Sequence, residues 1–138
     1  MNVIPPAAGM VSNHRIIPGD TMEAAVDRIR RIVKDKRVDV RIIDGVNPSR
    51  VSDTSCEAYE TVKAAAGETW PEAIISPYLM LACSDSRHWG ELSDKVYRFS
   101  PMHLSKEARG TIHGNNERVP LETISRTVEF YVRLIRKI

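Results

Sequence analysis

Cysteine is scarce in this sequence, with only Cys56 and Cys83 among 138 residues. Two cysteines make no disulfide framework, so reduced thiols and a cytoplasmic protein are expected, with Cys83 as a small buried residue. Long apolar runs are missing too, and the stretch from Tyr78 to Cys83 falls far short of the roughly 20 residues that cross a bilayer. The opening Met-Asn-Val-Ile-Pro-Pro lacks the basic and apolar regions of a signal peptide. These absences predict no membrane partner.

The sequence also lacks a large excess of either charge. Its 20 lysines and arginines nearly balance 18 aspartates and glutamates, giving a formal charge of +2. The most basic stretch, residues 28 to 41, is interleaved with Asp35 and Asp39, so no nucleic-acid partner is expected. Hydrophobic residues make up 42% of the chain and charged residues 28%, which is ordinary for a soluble globular protein.

The first third of the chain predicts a strand, a helix and a second strand. Residues 8 to 17 are interpreted as a strand that ends at Pro18-Gly19, with Val11, Asn13, Arg15 and Ile17 on one face and Met10, Ser12, His14 and Ile16 on the other. Over residues 38 to 42, apolar and charged residues alternate as in a half-buried strand. Between them, Asp20 and Glu23 form a start that resembles a capping box. An apolar stripe at helical spacing follows. The stripe consists of Met22, Ala25, Val26, Ile29, Ile32 and Val33.

The rest of the chain predicts two longer helices and two more strands. One helix runs from about Ser55 to Ala66 and stops at Gly67. The mostly apolar residues 73 to 82 are interpreted as a buried strand and residues 97 to 99 as a short one. The last helix starts at Pro120, and its apolar stripe should pack on a sheet. That stripe consists of Leu121, Ile124, Val128, Tyr131, Ile135 and Ile138. The expected fold class is α/β (α+β).

A loop of sequence His-Gly-Asn-Asn-Glu-Arg-Val, residues 113 to 119, precedes the last helix. Glycine and asparagine give His113 a turn-prone backbone and an unobstructed ring, which suits a metal ligand. A zinc site needs three or four ligands, so His113 alone does not identify one. The alternative is a polar loop in which Glu117 supplies the acid favoured at a helix start.

Five segments, taken in order, resemble a known family. They are Asn-Val-Ile-Pro-Pro at residues 2 to 6, His-Arg-Ile-Ile-Pro-Gly-Asp at 14 to 20, Ser-Asp-Ser-Arg-His at 84 to 88, Tyr-Arg-Phe-Ser-Pro at 97 to 101, and the loop at 113 to 119. At these spacings they resemble the C-terminal part of the zinc aminopeptidase and aminoacylase-type hydrolases. The likeness is closest to the carboxypeptidase S and N-fatty-acyl-amino-acid hydrolase branch and covers nearly the whole chain.

The resemblance implies a division of the chain into two parts. Residues 1–44 would be the second half of a ferredoxin-like βαβ dimerisation or lid domain, and residues 45–138 the C-terminal part of the catalytic domain. The two strands of such a half flank a gap, which leaves backbone groups unpaired. A homo-oligomer formed through residues 1–44 is therefore expected.

The resemblance also implies the site residues. His113 matches a ligand of a paired zinc site. Asn2 and Arg15 match residues that bind the substrate carboxylate or the oxyanion, and Asp85 and Arg87 match a substrate-binding loop beside the metals. Purely structural alternatives stay open: a surface arginine, a terminal asparagine, and an Asp–Arg pair that only braces its own loop.

The family's other metal ligands and its catalytic base have no match here. The chain contains neither a His-x-Asp motif nor a Glu-Glu pair, and metal-assisted hydrolysis needs an open metal and a base. We expect a portion of a zinc-dependent hydrolase of N-acyl amino acids or small peptides, with no catalytic base and inactive alone. The alternative is a non-catalytic α/β module for oligomerisation.

Overall fold

The computed structural model describes residues 3–138, and the chain divides into two compact units, Met1–Arg50 and Val51–Ile138. The sequence predicts a domain boundary between residues 44 and 45. Within the described residues the regular elements are five helices, none of which is long and apolar enough to cross a membrane. They are α1 (Met22–Val33), α2 (Glu57–Thr69), α3 (Ser86–Trp89), α4 (Lys106–Gly110) and α5 (Leu121–Ile135).

The predicted α/β fold is wrong, because residues 3–138 contain helices and no strand. The error covers both the βαβ unit at residues 1–44 and the α/β part at 45–138. Alternating polar and apolar residues favour an extended backbone, but a strand exists only where a second segment pairs with its N–H and C=O groups. No described segment does so for the four stretches that were predicted as strands. These are residues 8–17, 38–42, 73–82 and 97–99.

A serine side chain takes the place of a backbone partner beside one of these stretches. The Ser52 hydroxyl donates to the Val96 carbonyl oxygen at 2.9 Å, and it accepts a hydrogen bond from the Val96 N–H at 3.0 Å. Both polar groups of Val96 are therefore satisfied without a ladder.

Helix α1 begins one residue later than the capping-box pattern predicts. The N-cap is Thr21, whose side chain accepts from the N–H of Ala24 at 3.1 Å. Asp20 instead holds Arg28, with 2.7 Å between the carboxylate and the guanidinium. The helix ends at Val33, and the C-cap residue Lys34 has a left-handed φ of 51°. No residue of α1 is buried, so polar contacts at its surface hold this helix, including the bond from the N–H of Met22 to the Asn47 side chain at 2.9 Å.

Helices α2 and α5 pack on each other and form the core of the second unit. Phe130 is 2% exposed, and its ring lies 6.0 Å from that of Trp70 and 5.2 Å from that of Phe99. Ala65 and Ala66, both buried, let α5 approach the α2 backbone closely. Helix α2 runs past its predicted stop at Gly67 to Thr69.

Polar bonds join the same two helices at the end of α2. The Arg126 guanidinium donates to the Thr69 carbonyl oxygen at 2.7 Å, which satisfies a group that the helix leaves unpaired. Glu68 pairs with Arg133 at 3.2 Å and with Lys137 at 2.7 Å. These two cations lower the pKa of Glu68, Lys137 having the larger effect.

Candidate functional site

His113 lies in a tight turn between α4 and α5, with a left-handed φ of 62°. The N–H of Gly114 donates to the Thr111 carbonyl oxygen at 2.9 Å and closes the turn. A β-carbon on Gly114 would lie 3.3 Å from that oxygen, so glycine suits the position. His113 is exposed and does not belong to the core cluster of its unit. Its imidazole is therefore available to a group outside the turn.

Glu117 holds this turn from its C-terminal side. Its carboxylate accepts from the backbone N–H of His113 at 3.3 Å, whereas α5 begins only at Leu121. Glu117 therefore fixes the backbone of His113 and does not belong to the first turn of α5. Asn116, with φ of 61°, is the second left-handed residue here, a conformation that asparagine tolerates better than most.

Two threonines of α5 form hydrogen bonds with residues 101 and 103, which precede the turn at His113. Thr123 donates to the carbonyl oxygen of His103 at 2.9 Å, and Thr127 donates to that of Pro101 at 2.5 Å. Thr123 is 6% exposed, and its buried hydroxyl has a hydrogen-bond partner in the His103 carbonyl oxygen. The segment before the turn is thus held by the same helix that packs on α2.

Asp85 and Arg87 lie together at the single turn of α3. Asp85 is its N-cap residue, and its carbonyl oxygen accepts from the N–H of His88 at 3.0 Å. The Arg87 guanidinium donates to Nε2 of His88 at 3.2 Å and lies 3.7 Å from Sγ of Cys83. Arg87 thus contacts neighbours other than Asp85. Cys83 is exposed, and its predicted burial is wrong.

Of the remaining predicted residues, Arg15 belongs to the first unit. Arg15 is exposed there, and Asn2 lies outside the described residues. The structure thus brings Asp85 and Arg87 onto one turn. Across residues 3–138, no hydrogen bond or ion pair joins His113 to either of them.

The zinc that the resemblance implies does not fit the described residues by themselves. Residues 3–138 hold no group of three or more His, Cys, Asp or Glu side chains that could bind a metal ion. A stable zinc site takes at least three protein ligands. His113 offers one nitrogen, so a complete site would need ligands from other residues.

Sequence reasoning missed a thiol network at the start of α2. Cys56, the N-cap residue, has its Sγ 3.0 Å from the Tyr97 hydroxyl, which also donates to the Asp53 carbonyl oxygen at 2.7 Å. The hydrogen bond with Tyr97 and the N–H of Tyr59 lower the pKa of the Cys56 thiol. Burial raises the pKa of Tyr97. Only the position of Cys56 before a predicted helix could have signalled this, since Tyr97 lies 41 residues away.

Comparison with known proteins identifies relatives along nearly the whole chain. The probable carboxypeptidase S-like protein 2 of Dictyostelium discoideum is 31% identical over 136 residues, covering 98% of this chain and 26% of the relative. The N-fatty-acyl-amino acid synthase/hydrolase of Xenopus tropicalis is 34% identical over 136 residues, covering 98% and 27%. The chain is similar to both proteins along nearly its whole length. The predicted resemblance to the carboxypeptidase S and N-fatty-acyl-amino-acid hydrolase branch is thereby confirmed.

The human N-fatty-acyl-amino acid synthase/hydrolase shows the same relationship, with 32% identity over 138 residues and 98% of this chain covered. The chain spans about a quarter of the length of the curated relatives that it matches, 26% to 28% in these three. No family model matches the chain. No solved structure matches it significantly.

Proposed function

We propose that this chain contributes to a metal-dependent hydrolase that cleaves the amide bond of N-acyl amino acids or small peptides. The observation that carries the proposal is the homology with carboxypeptidase S-like and N-fatty-acyl-amino acid hydrolase proteins over 98% of the chain. The exposed imidazole of His113, on a turn closed by Gly114 and Glu117, agrees with a ligand role.

His113 would supply one nitrogen of a zinc site whose other ligands lie outside the described residues. A bound zinc would polarise the scissile carbonyl and activate water. The contribution of this chain beyond His113 is substrate binding. A guanidinium binds a carboxylate through two parallel hydrogen bonds, which suits Arg15 and Arg87 for the carboxylate of an amino acid. An amide donor at Asn2 would support negative charge on the substrate oxygen. Asp85 would position the loop that carries Arg87.

We further propose that the chain has no hydrolytic activity by itself. Amide hydrolysis needs a base that takes a proton from the attacking water. The family supplies that base from a Glu-Glu pair, which this sequence lacks. The purified chain, assayed with an N-fatty-acyl amino acid in the presence of zinc, should release no free amino acid. Turnover that disappears in His113→Ala would contradict this part of the proposal.

A chimera tests whether the chain can perform its part of the reaction. In the Xenopus tropicalis relative, the 136 matched residues are replaced by the corresponding residues of this chain. The chimera should hydrolyse an N-fatty-acyl amino acid, and His113→Ala should lower its rate on the order of 100-fold through loss of a ligand. His103→Ala is the matched control, since His103 is exposed in the same unit and not matched to the site. Equal activity of the two variants would contradict the ligand role of His113.

The alternative function, a non-catalytic association module, has one supporting observation. Many large apolar side chains are exposed, among them Met10 at 90%, Val11 at 79% and Ile32 at 74% within residues 1–44. The argument from a gap between two strands no longer applies, because the strands are absent from the described residues. Association through residues 1–44 therefore stays a prediction that depends on apolar exposure alone. A folded, soluble chimera without activity would favour this alternative.

A further inference from the structure

Residues 96–103, here called the strap, contain the Tyr-Arg-Phe-Ser-Pro motif and form neither a helix nor a strand. Along the chain they lie between α3, which carries Arg87, and the turn that carries His113. A segment without regular structure keeps its shape only where other groups bind its backbone or pack on its side chains. The strap has such contacts at both ends and in its middle.

The upstream end of the strap is held by the start of α2. Both polar groups of Val96 bind the Ser52 hydroxyl. The Tyr97 hydroxyl donates to the Asp53 carbonyl oxygen at 2.7 Å. The ring of Tyr97 also contacts that of Tyr59, with 5.6 Å between the two ring centroids. This end of the strap can therefore move only if several bonds at the beginning of α2 break.

The downstream end of the strap is held by α5. Thr127 donates to the carbonyl oxygen of Pro101, which is buried. Thr123 donates to the carbonyl oxygen of His103 at 2.9 Å. Two carbonyl groups that no helix or strand satisfies thus find their donors on one helix.

The middle of the strap crosses the core that the two helices share. The ring centroid of Phe99 lies 5.2 Å from that of Phe130 on α5 and 6.5 Å from that of Trp70, the C-cap residue of α2. The contacts fall on residues 97, 99, 101 and 103, the spacing at which side chains share one side of an extended backbone. Because α2 and α5 pack on each other, the strap joins two supports whose separation is fixed by that packing.

Short, hydrogen-bonded connections link the strap to both predicted site segments. Upstream, the N–H of Ser93 donates to the carbonyl oxygen of Trp89, the last residue of α3, at 3.0 Å. Downstream, Ser105 caps α4 by accepting from the N–H of Ala108 at 3.1 Å, and the turn at His113 follows α4 directly. A displacement of either end of the strap is therefore transmitted to the segment next to it.

We propose that the strap positions two groups of the predicted site, Arg87 through Tyr97 and His113 through Thr123. Tyr97 and Thr123 are positioning residues, because each acts through the segment that it holds. The inference rests on the proposed function, which supplies the roles of Arg87 and His113. It goes beyond that function by predicting two separable effects, one on substrate binding and one on turnover.

Amide hydrogen exchange, measured by NMR on the isolated chain, tests the downstream end without any activity. Thr123→Val removes the hydroxyl that binds the carbonyl oxygen of His103. The N–H of Gly114, which closes the turn, should then exchange roughly 10-fold faster than in Thr69→Val. Thr69→Val is the matched control, since it removes a buried hydroxyl that bonds within α2. Thr123→Ser should restore the wild-type rate, and equal exchange of Gly114 in Thr123→Val and Thr69→Val would overturn the proposal.

Tyr97→Phe tests the upstream end in the same way. It removes the hydrogen bond to the Asp53 carbonyl oxygen and keeps the ring. The N–H of His88, which donates to the Asp85 carbonyl oxygen, should exchange roughly 10-fold faster than in Tyr131→Phe. Tyr131→Phe is the control, because it removes a hydroxyl from α5 and leaves the bond of Tyr97 intact. The same His88 exchange rate in both variants would contradict the positioning role of Tyr97.

The chimera with the Xenopus tropicalis relative then separates the two effects. Tyr97→Phe should raise the KM for an N-fatty-acyl amino acid on the order of 10-fold with kcat nearly unchanged, because the proposed role of Arg87 is to bind the substrate carboxylate. Thr123→Val should lower kcat on the order of 10-fold with KM nearly unchanged. An inactive parent chimera would contradict the proposed function, and the exchange rates in the isolated chain would still decide the role of the strap. An active chimera in which both variants change KM and kcat alike would overturn the proposal.

Discussion

The two units of this chain form their longest helices by different means. Helix α1 in the first unit has no buried residue and depends on a threonine cap and on polar contacts such as Arg28 with Asp20. In the second unit, α2 and α5 pack on each other, and Phe130 of α5 is buried in their shared core. The first helix depends on polar contacts at its surface, and the second pair depends on a buried apolar core. Substitutions should therefore affect the two units differently.

The largest effect is expected from Phe130→Ala. Phe130 is 2% exposed and touches both Trp70 and Phe99, so its removal leaves a cavity in the small core of the second unit. The free energy of unfolding should fall by about 3–5 kcal/mol. Urea unfolding followed by tryptophan fluorescence measures the change.

Val26→Ala in α1 is the comparison for that substitution. Val26 is only half-buried, and the loss should stay below about 1.5 kcal/mol. A loss as large as that of Phe130→Ala would show that α1 has a packed core after all, and the contrast between the units would fail.

Thr21→Ala should have the next largest effect and act on the first unit. It removes the side-chain oxygen that accepts from Ala24, which should cost about 1 kcal/mol of helix stability. Amide hydrogen exchange should accelerate in α1 and stay unchanged in α2. Thr21→Ser keeps the side-chain oxygen and should exchange at the wild-type rate. Equal exchange rates in Thr21→Ala and Thr21→Ser would contradict a stabilising role for the side-chain cap.

Mild acid should weaken α1 through Asp20. The hydrogen bond from the Arg28 side chain, and then the N–H of Thr21, lower the pKa of Asp20. A carboxyl whose pKa is lower in the folded state than in the unfolded state stabilises the fold at pH values above its unfolded-state pKa of about 3.9. That stabilisation is lost as the pH falls through the folded-state pKa. The chemical shifts of α1 should therefore change below about pH 4. Asp20→Asn should remove that dependence, and its persistence would assign the transition to another group.

The smallest effect on stability is expected from changes around Cys56, where the measured property is the reactivity of the thiol. Tyr97 lowers the pKa of this thiol, so in a Cys83→Ser background iodoacetamide should react with a midpoint below the ordinary thiol pKa of about 8.5. Tyr97→Phe should raise the midpoint while α2 stays folded. An unchanged midpoint would mean that the hydroxyl does not stabilise the thiolate.

The sequence predicted the three long helices because their signals are periodic and local. The turn at His113 was also predictable, since Gly114 and the asparagines mark it directly. The strands were wrong because a pattern within one segment specifies at most a backbone preference and cannot supply the second segment that pairs with it. Thr21 displaced Asp20 as the cap because Arg28 binds the Asp20 carboxylate. The link of Cys56 with Tyr97 joins residues whose proximity no local pattern encodes.

The bond between Arg126 and Thr69 spans 57 positions of the chain, and it has a consequence for biosynthesis. At a translation rate of about 5–20 residues per second, α2 leaves the ribosome roughly 3–11 seconds before the part of α5 that covers it. During that interval Ala65, Ala66 and Trp70 lack the cover that Phe130 later provides. The nascent second unit therefore passes through a stage in which a chaperone that recognises apolar surface has a defined target.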